Sequence, residues 1–368
     1  MKRIAKKSLP QDTRFADVLI DWQKQHGRHQ LPWQRTRDAY RIWLSEIMLQ
    51  QTQVATVIPY YARFLERFPD VAALAAAPTE EVMAYWSGLG YYTRARNLHR
   101  CAQQIVAHHA GRFPPDPETL ASLPGIGKST AAAIAAFAYG ARAAILDGNV
   151  KRVFCRVFGI EGFPGQVAVE RDLWQRAEAL LPERDIEAYT QGLMDLGATL
   201  CTRTRPACDR CPMQPRCVAH ASGRTSELPT RKPKKAIPEK STVMLVVVHE
   251  GEILMEQRPP EGIWGGLLSL PELDRLSSKN SEVDLHEQLA LALSSFGDID
   301  DIAVLDGFVH GFTHYRLSVM PVHVRLRERH WLAAQSDYQW RALAQISEAA
   351  LPAPVRKLLA RFSATTLI

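Results

Sequence analysis

The pattern of this chain changes abruptly across residues 222–240. That stretch carries Pro229, Pro233 and Pro238 among Arg231, Lys232, Lys234 and Lys235, and no apolar repeat survives in it. Proline stiffens it and charge keeps it in water, so it reads as a linker. The flanks obey different periods, which forces two separate folds. Ahead of the break, Ile42, Leu44, Ile47, Leu49 and Val54 recur at helical spacing, and the pattern predicts one helix over 38–60. Further helices are predicted near 60–68, 79–87, 93–110, 129–139 and 149–199. Behind the break, 242–248 is an apolar run rich in β-branched residues. His249-Glu250-Gly251-Glu252 turns it, and 253–257 completes a hairpin. Strand patterns at 302–309 and 315–326 alternate with helical ones at 283–295 and 351–361. The expectation is a multidomain chain: an all-α domain over 1–225, a linker over 226–240 and an α/β domain over 241–368. At 368 residues each part is long enough to bury its own core.

Charge follows the same division. Residues 1–240 carry 34 Lys+Arg against 23 Asp+Glu, whereas 241–368 carry 11 against 16. A basic half suits a polyanionic partner. No apolar run approaches the length that spans a bilayer. The start, MKRIAKKSLPQDTRF, is basic without an apolar stretch behind it. These features predict a cytoplasmic protein with no membrane partner; the further expectation is a monomer, associated with the nucleoid through DNA.

Four of the six cysteines crowd into seventeen residues. Cys201, Cys208, Cys211 and Cys217 are spaced C-x6-C-x2-C-x5-C. Cys101 and Cys155 lie singly in helical patterns and read as small buried apolar side chains. In a cytosolic chain a disulfide framework is disfavoured. Four soft thiolates suit zinc or an iron–sulfur cluster, and the spacing leaves both open. Arg203, Arg205, Arg210 and Arg216 ring the loop with positive charge.

Three further features carry chemistry. Leu123-Pro124-Gly125-Ile126-Gly127-Lys128-Ser129 joins two short helices. Gly125 and Gly127 let the backbone approach a ligand, and the following helix offers free N–H groups to an anion such as a phosphate. Glu46 is flanked by apolar residues on a core-facing helix, which desolvates its carboxyl and keeps it a proton donor near neutral pH. Gln50, Gln51 and Gln53 crowd the same stretch. Asp147, after the apolar Ile145-Leu146, stands where a helix begins, and an N-cap role would by itself account for it. Two carboxylates in distinct environments are what cleavage of an N-glycosidic bond requires.

Together these segments resemble the helix–hairpin–helix DNA glycosylase superfamily, and within it the MutY-type family that removes adenine mispaired with 8-oxoguanine. The likeness rests on Ser45-Glu46-Ile47-Met48-Leu49-Gln50-Gln51-Thr52-Gln53, Gly88-Leu89-Gly90-Tyr91-Tyr92, residues 123–130, Leu146-Asp147-Gly148-Asn149-Val150 and the cysteine loop. It implies double-stranded DNA bearing A:8-oxoguanine or A:G mispairs as partner. It also implies a six-helix core over about 30–145, and a cluster domain built from 1–29 and 146–225. Glu46 matches the acid that protonates N7 of adenine. Asp147 matches the anion beside the sugar cation, with Asn149 as its polar neighbour. Tyr91 and Gln51 match residues that wedge into the base stack, and Gln191 matches an adenine contact. The four cysteines match ligands of a [4Fe–4S] cluster.

The same superfamily includes bifunctional pyrimidine-lesion enzymes of the endonuclease III type. They carry a nucleophilic lysine two residues after the second hairpin glycine. Here that residue is Ser129, and Lys128 stands one position off. The expectation is therefore a monofunctional glycosylase. A non-catalytic iron–sulfur DNA-binding protein is the alternative from another class. Residues 241–368 resemble the family's Nudix-like domain, supported by the hairpin and Gly262-Ile263-Trp264-Gly265-Gly266-Leu267. A working Nudix hydrolase needs clustered glutamates on one helix, and LHEQLALALSSF offers Glu287. The expectation is no hydrolysis of nucleoside diphosphates. Phe312, Thr313 and His314 resemble the F-S-H loop that touches 8-oxoguanine.

Overall fold

A computed structural model describes residues 13–232, 237–259, 262–274, 282–312, 314–330 and 337–362. Contacts divide the chain into two compact units. One comprises Met1–Ala76 and Asn97–Lys234, the other Ala77–Arg96 and Lys235–Ile368. The short segment 77–96 thus groups with the C-terminal part of the chain.

The first unit is helical. Its elements are α1 (Thr13–His26), α2 (Ala39–Leu49), α3 (Val54–Arg67) and α4 (Val71–Ala76). α5 (Thr79–Trp86) and the first residues of α6 (Thr93–His109) belong to the other unit; the rest of α6, α7 (Pro117–Ala121), α8 (Lys128–Tyr139), α9 (Gly148–Val157), α10 (Val167–Ala179), α11 (Ile186–Asp195) and α12 (Val218–Ala221) complete the first. The single helix expected over 38–60 is broken. Gln50 closes α2 and Gln51 takes φ +57°, so the chain turns before α3 begins. Periodicity could not register this, because the apolar positions resume in phase on the far side. Pro59 lies inside α3.

Packing follows side-chain size. Ala131 to Ala136 of α8 are buried, and this small face admits α2 closely. A larger core gathers Phe15 and Leu19 of α1, Phe154 of α9, Leu173 of α10, and Tyr189 and Leu193 of α11. Burying each such side chain contributes about 1.5–3 kcal/mol. A π-helical turn, Leu196–Leu200, continues α11 toward Cys201. Its Gly197 lies against Asn149: a Cβ there would stand 2.6 Å from the Asn149 Cβ and 3.2 Å from its Cα.

The C-terminal unit is built on a mixed sheet. Its strands are β1 (Glu239–His249), β2 (Glu252–Gln257), β3 (Leu268–Ser269), β4 (Glu272–Asp274), β5 (Gly297–Val304), β6 (Phe308–Gly311), β7 (Arg316–Arg329) and β8 (Tyr338–Ala342). Helices α13 (Glu282–Leu293) and α14 (Ala353–Phe362) accompany them. The order β3-β2-β1-β7-β5 has β1 parallel to β7 and antiparallel to β2. The expected hairpin is present, with His249 opposite Glu252. Residues 243–247 of β1 are buried on both faces, as its uninterrupted apolar run requires. Val243, Leu245 and Val247 share one face, where Leu289 and Leu293 of α13 join their core.

Candidate active site

Within the helical unit a cavity of about 580 Å³ opens between the loop after α1, α2 and α11. Glu46, Ser45, Arg28, Trp33, Phe137, Gln191 and Met194 are among its walls. Glu46 faces it from a helix whose neighbours Leu44, Ser45, Ile47 and Met48 are buried. Desolvation, reinforced by the negative charge of Asp147, pushes the Glu46 carboxyl up to about 8. At neutral pH it therefore holds its proton.

Asp147 is positioned by the backbone. It caps α9, and Oδ1 accepts from the Val150 N–H at 2.8 Å. Nδ2 of Asn149 lies 3.4 Å from Oδ2. Burial raises this carboxyl too, but the N–H donors of Val150 and Asn149 and the charge of Arg152 oppose the rise. Both causes acting on Glu46 raise it, whereas at Asp147 the rise from burial is opposed by hydrogen-bond donors and a cation, so the two carboxyls are unequal. Asn149 is fixed in turn, since Oδ1 accepts from Arg152 Nη2 at 2.8 Å. Arg152 also donates to the carbonyls of Gly197 and Cys201, each at 2.7 Å.

The hairpin turn lies in the same unit. Gly125 takes φ +77°, and a Cβ there would meet Asn97 Cβ at 2.8 Å, so glycine is required twice over. Gly127 is the exposed N-cap of α8 and brings no side-chain cap, which leaves first-turn N–H groups facing outward. Ser129 Oγ accepts from the Leu146 N–H at 2.9 Å, tying the hairpin to the residue before Asp147. Gln50 Nε2 reaches Thr130 Oγ1 at 3.5 Å. Lys128 is turned aside: Nζ lies 2.9 Å from Glu178 and 4.0 Å above the Trp174 ring. Lys151 pairs with Glu170 at 2.5 Å.

Sequence reading missed the residue that organises the cavity wall. Asp195 is fully buried, at 0% exposure. It accepts from the Arg28 N–H at 2.8 Å, from Arg28 Nε at 2.7 Å and from Gln191 Nε2 at 2.9 Å. Two cavity-lining side chains thus hang on one carboxylate. Its signal in the sequence was a lone acidic residue in the apolar run Gly192-Leu193-Met194-Asp195-Leu196.

Cys201, Cys208, Cys211 and Cys217 line one small apolar cavity beneath α9. Burial, with a smaller contribution from the charges of the three other cysteines, pushes the Cys211 thiol up to about 11. Arg156 Nη1 stands 3.4 Å from Cys201 Sγ. Among the described residues no three His, Cys, Asp or Glu side chains stand in ready-made metal geometry. The donor chemistry suits a thiophilic centre: four thiols on one apolar cavity with the Arg156 cation beside them.

The remaining sequence candidates belong to the C-terminal unit, except the exposed Gln51. Tyr91 is 45% exposed with φ +47°. Phe312 stacks on Tyr315 at 4.4 Å and meets Trp264 at 5.6 Å, with the exposed His314 6.2 Å from it. Thr313 lies outside the described residues.

Comparison with known proteins finds two families along the chain. Residues 44–179 match the family described as HhH-GPD superfamily base excision DNA repair protein, and residues 242–361 match the NUDIX domain. The adenine DNA glycosylase of Buchnera aphidicola subsp. Acyrthosiphon pisum is 34% identical over 349 residues, covering 95% of this chain and 97% of that protein. The adenine DNA glycosylase of Mus musculus is 33% identical, covering 94% and 77%. A thermostable thymine-DNA glycosylase structure is 29% identical with a TM-score of 0.51, over 57% of this chain and 96% of that one. Among the described residues no helix is long and apolar enough to cross a membrane.

Proposed function

The chain belongs to the adenine DNA glycosylase family, and from that premise we propose that it excises adenine mispaired with 8-oxoguanine or guanine in double-stranded DNA. The observation that carries this reading is the unequal carboxyl pair, Glu46 protonated in a cavity wall and Asp147 anchored on helix donors. A base inside a duplex is out of reach of such a cavity, so the adenine is extruded first. Tyr91 and Gln51 fill the gap it leaves. Gln191 then contacts the base. Glu46 gives its proton to N7, the C1′–N9 bond breaks, and its electron pair leaves with the adenine. Asp147, held by Asn149, faces the cationic C1′. Water adds at C1′ and loses a proton, which yields free adenine and an abasic site. The hairpin of Gly125, Gly127, Lys128 and Ser129 holds a phosphate, chiefly through N–H groups at the start of α8. Phe312, Thr313 and His314 contact the 8-oxoguanine. The domain division is a helical catalytic domain over 1–225, a linker over 226–240 and a Nudix-like domain over 241–368.

No step in this scheme breaks the sugar–phosphate backbone. A lyase needs an amine at the sugar, and Ser129 is instead spent on the Leu146 N–H. An end-labelled duplex with one adenine opposite 8-oxoguanine is therefore expected to be cut after hot alkali and left whole without it. Nicking without alkali would establish a lyase and point to Lys128 or Lys151. No cleavage in either case would remove the substrate assignment.

Cys201, Cys208, Cys211 and Cys217 are the residues that would hold a [4Fe–4S] cluster. When bound, the cluster would supply iron sites for the four thiolates to ligate, which would cross-link the arginine-ringed loop. Protein purified without oxygen is expected to be coloured and to hold about four iron and four sulfide per chain. Cys211→Ala is expected to lose most of both. A colourless protein with one zinc per chain would replace the cluster by a zinc site.

A further inference from the structure

The segment that presents Tyr91 is fastened to the C-terminal unit at both ends. Ser87, buried after α5, donates through Oγ to the Leu351 carbonyl at 3.2 Å. The Tyr92 hydroxyl donates to the same carbonyl at 3.3 Å and accepts from the Gly88 N–H at 3.5 Å. Arg356, in the first turn of α14, reaches back with Nη2 to Ser87 Oγ at 2.6 Å. Arg96 donates to the carbonyl of Gly265. Two residues on either side of 88–91 therefore end on one carbonyl, with α14 clamped behind them.

What these anchors hold is an unfavourable arrangement. Tyr91 is a large aromatic, 45% exposed, at φ +47°. Side chains avoid that region, and such a residue persists where its surroundings over-determine it. Arg94 adds to the constraint from within: Nη2 donates to the carbonyls of Leu89 and Gly90, and the guanidinium lies 5.5 Å from the Tyr91 ring.

We propose that Arg356 and Tyr92 are positioning residues for base extrusion: they hold Tyr91 in its exposed, left-handed conformation, ready to enter the base stack. The proposal rests on the reading of Tyr91 as the wedge. It gives the C-terminal unit a second part in the reaction, separate from any contact to the lesion. Specificity and extrusion then share one mechanical support.

A double-mutant cycle on the full chain tests it, with Tyr91→Ala, Arg356→Ala and the pair. Two readouts are used on a duplex with adenine opposite 8-oxoguanine. One is single-turnover excision at saturating enzyme. The other is fluorescence of 2-aminopurine placed beside the mispair, which reports extrusion. Arg356→Ala is expected to lower both about tenfold, the effect of losing one charged hydrogen bond. Added to Tyr91→Ala it should change nothing further, since a brace has no effect once its load is gone. Arg356→Lys can still donate to Ser87 and should recover most of the signal. Tyr92→Phe, which keeps the ring and removes one hydroxyl, gives the same test if Arg356→Ala folds poorly. Losses that add in full, or an Arg356→Ala chain that works like its parent, would overturn the brace and leave the wedge standing. A Tyr91→Ala chain that extrudes normally would overturn both.

Discussion

Glu46→Gln is expected to bind mispaired DNA with unchanged affinity and to release adenine at least about 10³-fold more slowly, within the range general acid catalysis supplies. The amide matches the carboxyl in size, so the cavity wall keeps its shape, and only the proton on offer is lost. The pH dependence carries the sharper signature. The Glu46 carboxyl is raised to about 8 by desolvation and then by Asp147. Excision by the parent should hold below that value and fall as pH rises through it. The residual activity of Glu46→Gln should show no such limb. Stability moves with the same proton. A carboxyl whose folded pKa exceeds its unfolded one favours the fold at low pH, and that contribution is lost between about 4.5 and 8. The variant should therefore melt above its parent at pH 8 and by a smaller margin at pH 5. Equal melting at both values, or a variant that still excises at the parental rate, would show that Glu46 is neither desolvated nor the acid.

The second large effect is expected at Asp195, which touches no substrate. Asp195→Ala strands three donors at once: the Arg28 N–H, Arg28 Nε and Gln191 Nε2. Removing one partner of a buried charged pair costs about 3–5 kcal/mol, and the Arg28 side chain, 28% exposed, recovers part of that from water. A loss of about 2–4 kcal/mol in the helical unit is the expectation, read from denaturant melts. Excision should fall about 10–100-fold even well below the melting range, because the two wall residues lose their common anchor. Asp195→Asn separates the roles. It keeps one acceptor and should restore part of the stability while leaving Arg28 poorly held. A variant that is destabilised yet excises normally at low temperature would make Asp195 a purely structural residue.

These two residues also mark how far the sequence could be read. Glu46 was legible because a carboxylate inside an apolar helical repeat violates the local pattern, and its raised carboxyl follows from that burial. Asp147 was legible as a helix start, since a short carboxylate after an apolar run is what an N-cap looks like. Asp195 breaks its own apolar run just as plainly. Its meaning depends on Arg28, 167 positions away, and no local signal reports such a partner. The clamp from Arg356 to Ser87 spans 269 positions and is invisible for the same reason. The change of period at 222–240 separated helical from mixed architecture, because it is carried by many residues at once. The break at Gln50 and Gln51 escaped because a single left-handed residue leaves the flanking apolar phase intact.

Gly197 carries a consequence of another kind. It has no functional group and lines no part of the cavity, yet its missing side chain is what lets the π-turn close on Asn149. The obstruction to any larger residue is the Asn149 Cβ and backbone, not a flexible tip, so nothing nearby can swing away. Any replacement at 197 must shift the neighbour of Asp147. In a survey of random variants this position would score among the residues of the reaction, and its tolerated alphabet would be one letter. An empty volume of one methyl group thus decides where Asn149 can stand beside Asp147.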